Sequence, residues 1–64
     1  MRLNGKNIEL EKETTIEELL EQYNINSSRV VVEVNREIVE KTCFSSVKLK
    51  NEDTIEVISF VGGG

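Results

Sequence analysis

The sequence predicts an α+β fold in which a mixed sheet of about five strands wraps one main helix. Three observations carry that prediction. One stretch pairs a helix-start signal with apolar residues at helical spacing; two tight-turn signals each join short extended segments; and an alternating segment rich in β-branched residues closes the chain.

Residues 1–3 and 7–10 flank Asn4-Gly5, the dipeptide that best tolerates the positive φ angles of a type I′ turn, so they form an opening β-hairpin. Thr14 and Thr15 each have a glutamate three residues on, the pattern of a capping box, and a helix starts there. Ile16, Leu19, Leu20 and Tyr23 follow at i, i+3, i+4 and i+7 and make the buried stripe. Glu17, Glu18, Glu21 and Gln22 fall on the solvated side. Asn24, Asn26, Ser27 and Ser28 end the helix. Val30, Val32 and Val34 alternate with Val31 and Glu33, and Asn35-Arg36 turns that strand into Glu37-Ile38-Val39. Phe44, Val47 and Leu49 close the edge of the core, and residues 54–61 read as a long last strand. Two hairpins, one helix and a final strand match the ubiquitin-like β-grasp, with residues 1–61 as the domain and 62–64 as a glycine tail.

The chain has 64 residues. A domain this small buries only ~60% of the surface its unfolded chain exposes, which leaves no room for an enclosed cofactor cleft. Hydrophobic residues make up 38% and charged residues 31%, enough apolar content to fold. Twelve acidic against eight basic residues give a net charge of -4, which argues against nucleic acid as a partner. No apolar run approaches a membrane span and the first residues lack a signal-peptide core, so a cytoplasmic setting without a membrane partner is expected. Cys43 is the only cysteine and there is no histidine, which excludes an internal disulfide, a Cys/His metal cluster and His-based catalysis. Cys43 is expected to be a small, half-buried hydrophobe without a role.

The ending Phe60-Val61-Gly62-Gly63-Gly64 places glycines directly after an apolar strand. Two readings stand. One is a frayed terminus. The other is a tail that threads a narrow channel, because a backbone without Cβ atoms can present an unhindered carbonyl carbon to another protein's active site. A terminal carboxyl with a reference pKa of ~3.3–3.7 is an anionic oxygen nucleophile at neutral pH, able to attack the α-phosphate of ATP.

The ending from Asp53-Thr54-Ile55-Glu56-Val57-Ile58-Ser59 through Gly64 resembles the ThiS family of sulfur carriers. The segment Val32-Glu33-Val34-Asn35-Arg36-Glu37-Ile38-Val39 resembles that family's second hairpin, and Thr15-Ile16-Glu17-Glu18-Leu19-Leu20-Glu21-Gln22 its only long helix. The resemblance spans nearly the whole chain. One departure is Asn51-Glu52-Asp53, where relatives usually carry a glycine, so a strained backbone or a different turn type is expected there. The resemblance implies a protein that is not an enzyme and binds no cofactor. An adenylyltransferase of the ThiF type, using ATP and magnesium, adenylates the Gly64 carboxylate. A persulfide donor protein replaces AMP with sulfur, and the resulting thiocarboxylate feeds a ThiG-type thiazole synthase in thiamine biosynthesis. Gly62 and Gly63 give Gly64 its reach. Rival acceptors are molybdopterin, cysteine and thiolated tRNA. A rival class is a ubiquitin-like modifier, although Val61 stands where such tails tend to carry arginine; another is a pure interaction module.

Inward Ile55 and Val57 put Ile58 and Phe60 on the opposite sheet face, and inward Val30, Val32 and Val34 do the same for Val31. Val31, Ile58 and Phe60, with Val61 beside them, are therefore the candidate docking patch. The competing reading tucks Phe60 into the core through edge twist or a bulge.

Overall fold

The computed structural model describes residues 1–59. Its first strands, β1 (Arg2–Leu3) and β2 (Lys6–Asn7), form the expected hairpin. Asn4 and Gly5 have φ of 50° and 85°, the left-handed values a type I′ turn demands. The assigned strand ends at Asn7, but Ile8 still exchanges hydrogen bonds with Met1 at 2.8 and 2.9 Å, and both Ile8 and Leu10 pack against the core.

A two-residue strand, β3 (Thr14–Thr15), leads directly into α1 (Ile16–Gln22). Of the two candidate threonines, Thr15 is the cap. Its Oγ1 accepts from the Glu18 backbone N–H at 3.1 Å, and Glu18 Oε1 accepts from the Thr15 N–H at 2.9 Å. The remaining free donors of the first turn are met from outside the helix, Ile16 N–H by the Val47 carbonyl and Glu17 N–H by that of Phe44. Thr15→Ala is therefore expected to cost about 1 kcal/mol and lower the thermal midpoint by roughly 4–8 °C, read by circular dichroism.

The helix ends in a Schellman arrangement. Asn24, at φ 56°, donates to Glu21, and Ile25 donates back to Leu20 at 2.8 Å. That geometry corrects one member of the expected stripe. Ile16, Leu19 and Leu20 are buried, but Tyr23 at the cap is 44% exposed, and Ile25 packs on the core in its place.

A 3₁₀ turn at Ser27–Arg29 delivers the chain to β4 (Val30–Val34), which pairs antiparallel with β5 (Glu37–Val39). Asn35 and Arg36 between them both take positive φ. A second 3₁₀ turn at Lys41–Cys43 precedes β6 (Lys48–Leu49), and β6 pairs with β3 in a small separate sheet that the sequence does not announce. Phe44 and Leu49 are buried and Val47 is partly so, as expected. Cys43 corrects expectation. It is exposed, because its neighbour Phe44 takes the core position.

The last strand, β7 (Thr54–Ser59), runs down the middle of the main sheet, whose order is β2-β1-β7-β4-β5. It pairs parallel with β1 and antiparallel with β4, which makes the sheet mixed. The turn before it contains no positive φ at Asn51, Glu52 or Asp53. Instead Asp53 Oδ2 accepts from the Lys50 N–H, and the Asn51 side chain bonds both the N–H and the carbonyl of Leu10. The turn is thus of a different type and needs no glycine. The core lies between the sheet and α1: Met1, Ile16, Leu19, Leu20, Val30, Val32, Phe44, Leu49 and Ile55. Burying each Leu or Ile side chain contributes about 1.5–3 kcal/mol.

Candidate functional site

Because side chains alternate along a strand, burying Ile55 on β7 forces Glu56 and Ile58 onto the face turned away from the helix. The same alternation on β4 buries Val30 and Val32 and sends Val31 and Glu33 outward. The register joins the two strands: Val31 stands opposite Ile58, and Glu33 opposite Glu56. Val31 and Ile58 are thus brought together, with Ile58 48% exposed. Phe60 and Val61, the other predicted members of the patch, lie outside the described residues, as do Gly62, Gly63 and Gly64.

One apolar member was missed in the sequence. Ile38 on β5 is 69% exposed and stands opposite Glu33, so it extends the outer face past β4. The signal was present: with Val39 turned inward, strand alternation leaves Ile38 pointing out.

The strand that leads toward the glycines is held on both sides. On the β1 side, Asn4 donates its N–H to the Ile55 carbonyl, and its side-chain Oδ1 accepts from the Val57 N–H at 2.8 Å. On the other side, pairing with β4 continues to Ser59, opposite Val30. At the start of the strand, Asn35 Nδ2 donates to Asp53 Oδ1, and Asn35 Oδ1 accepts from the Thr54 N–H. The sheet therefore holds β7 from Thr54 through Ser59.

The described residues offer no metal-binding group of three or more His, Cys, Asp or Glu, and the whole chain has no histidine. The shallow depressions near Glu9, Leu10, Glu11 and Lys12 are rimmed mainly by charged and polar side chains, away from the outer face. Fold and outer face together define a small β-grasp domain with exposed apolar residues on one face of its main sheet.

Comparison with known proteins narrows the class. The ThiS family model matches residues 1–64. Sulfur carrier protein ThiS of Bacillus subtilis (strain 168) is 43% identical over 65 residues, covering 100% of this chain and 98% of that protein. The crystal structure of the thiamine biosynthesis protein ThiS from Geobacter metallireducens superposes with a TM-score of 0.84 at 30% identity, covering 98% of this chain and 96% of that one. A thiazole synthase of Paramagnetospirillum magneticum is 36% identical over 62 residues, which span 97% of this chain but 19% of that protein. The chain belongs to the ThiS family, the sulfur carriers of thiamine biosynthesis. Among the described residues, no helix is long and apolar enough to cross a membrane.

Proposed function

We propose that the reacting group is the carboxylate of Gly64, with residues 1–61 as the domain that is recognised and Gly62 and Gly63 as the segment that enters the partner's active site. An adenylyltransferase of the ThiF type binds ATP and magnesium, and a carboxylate oxygen attacks the α-phosphorus and expels pyrophosphate. A persulfide of a donor protein then displaces AMP at the acyl carbon to give an acyl disulfide, and a second thiol cleaves its S–S bond by attacking the donor-side sulfur, which leaves the donor as a disulfide. The product is a thiocarboxylate, which gives its sulfur to a thiazole synthase of the ThiG type. The chain is a substrate in every step and binds no cofactor of its own.

The observation that carries this reading is that the family match runs through the three final glycines. It is supported by β7, a strand paired on both sides that precedes them in the chain. The similarity to a segment of a thiazole synthase supports the choice of acceptor, because fusing a carrier to its acceptor raises their effective concentration. Val31, Ile58, Phe60 and Val61 serve as the docking patch beside the tail. An exposed, unpaired Cys43 and ATP-dependent activation fit a cytoplasmic setting.

The test is intact-mass measurement after incubation with a ThiF-type enzyme, ATP, magnesium and a sulfur donor. The expected gain is the mass difference between sulfur and oxygen, located at Gly64 by fragmentation. An unchanged mass, with the same enzyme active on another carrier, would sink the proposal.

A further inference from the structure

The two edges of the main sheet differ in kind. One is β2, two polar residues with Lys6 among them, the short and charged sort of strand that keeps an edge from pairing further. The other is β5, which carries Ile38 at its centre, 69% exposed. Register decides which way the backbone of β5 points. Asn35 donates its N–H to the Thr54 carbonyl at 2.8 Å, so residue 35 and its alternates on β4 face β7, while Val34 and Val32 face β5. Their partners Glu37 and Val39 face back toward β4. Ile38 lies between them and turns both its N–H and its carbonyl to the open edge, in line with Arg36 and Glu40 on either side.

This segment is complementary to itself. Antiparallel pairing of two copies about a two-fold axis at Ile38 sets Ile38 against its own counterpart and Arg36 against Glu40 twice over. At the axis the two isoleucines exchange N–H···O bonds, and on each side a Glu40 N–H meets an Arg36 carbonyl. The Glu40 carbonyl, which already accepts from the Cys43 N–H at 2.9 Å, is not needed. Positions 36, 38 and 40 alternate onto one face of the strand, so the apolar contact is bracketed by two pairs of opposite charge. Arg36 and Glu40 are exposed, and the one ion pair among the described residues joins Lys48 to Glu13 instead. Other pairings lose this match. A shift of two residues puts Ile38 opposite Arg36 or Glu40, and in-register parallel strands set arginine beside arginine and glutamate beside glutamate.

We infer that the chain associates with a second copy of itself through β5, forming a two-fold dimer whose main sheets continue into each other across an antiparallel joint with Ile38 on the axis and an Arg36–Glu40 pair at each end. The pairing does not depend on the carrier function proposed above, since only this chain takes part. It leaves β7 two strands in from the joint in each copy, away from the contact. A joint of one short strand is at the small end of specific interfaces, so a Kd of about 0.1–1 mM is expected.

The experiment measures translational diffusion of the full chain by NMR from about 20 µM to about 2 mM, a range that brackets that Kd. Wild type should pass from the diffusion of one copy toward that of two. Arg36→Glu and Glu40→Arg each oppose like charges at both ends of the joint, and each alone should associate roughly tenfold or more weakly with its thermal midpoint little changed. Mixed in equal amounts, the two variants restore both pairs, and association should return. Bulk charge cannot produce that recovery, because each substitution moves the net charge of -4 by two, to -6 and -2, so both variants stay acidic. Ile38→Lys, which sets two lysines on the axis, should abolish association and not recover in either mixture. Wild type diffusing as one copy at the highest concentration would overturn the inference. Association that survives the single charge reversals would also overturn it by moving the contact elsewhere, and loss without recovery in the mixture would overturn the register.

Discussion

Removal of Gly64 is expected to abolish adenylation while leaving the melting transition of the domain where it was. The shortened chain still ends in a carboxylate of the same chemistry, on Gly63. What changes is position. One extended residue spans about 3.3–3.6 Å, so the new carboxylate stops that far short of the α-phosphate when the sheet is docked in the same place. A misplacement of about 1 Å at a reacting centre costs on the order of 100-fold, so a loss of at least that size is expected in ATP–pyrophosphate exchange. The circular-dichroism melt should not move, because the core residues from Met1 to Ile55 are untouched. Gly63→Leu should produce a similar loss by a different route, since its side chain blocks a channel that only a bare backbone can thread. Normal exchange with both variants would remove Gly64 from the mechanism.

The parts of this site that the sequence reveals are those set by local rules. The Thr15 cap, the spacing of Ile16, Leu19 and Leu20, and the Asn4-Gly5 turn each depend on a few neighbouring residues, and each appears where it was expected. Strand alternation was enough to place Val31 and Ile58 on one face. Features made by distant segments were not legible. The β3–β6 sheet exists only because Thr14 and Thr15 meet Leu49 and Lys48 in the folded chain, and two-residue strands carry no period of their own. The link from Asn35 to Asp53 and Thr54 joins two turns that are remote in sequence. The Glu33–Glu56 pair belongs to the same group. Either glutamate alone reads as a solvated strand residue, and only the β4–β7 register brings them face to face. Tyr23 shows a local rule losing to geometry, because the left-handed Asn24 turns the chain before a fourth residue can join the stripe.

Ile55→Ala should damage the protein as severely as loss of the tail, but for an unrelated reason. Ile55 is completely buried on the central strand, opposite Leu3 on β1 and Val34 on β4. Truncating such a residue costs about 2–5 kcal/mol, the lost transfer energy plus a cavity that the sheet cannot close. At roughly 0.05–0.15 kcal/mol per residue, a domain of this length has only about 3–10 kcal/mol in total. The variant should therefore be substantially unfolded at moderate denaturant, with a large drop in the urea midpoint. Ile58→Ala, on the outer face of the same strand, should stay within about 0.5 kcal/mol of wild type. Both core and tail variants would load poorly, but mass action separates them. A partner that binds only the folded carrier draws a destabilised domain back toward the native state, so the Ile55→Ala defect should shrink as the adenylyltransferase concentration rises. The Gly64 deletion already folds, and no excess of partner can restore the missing reach.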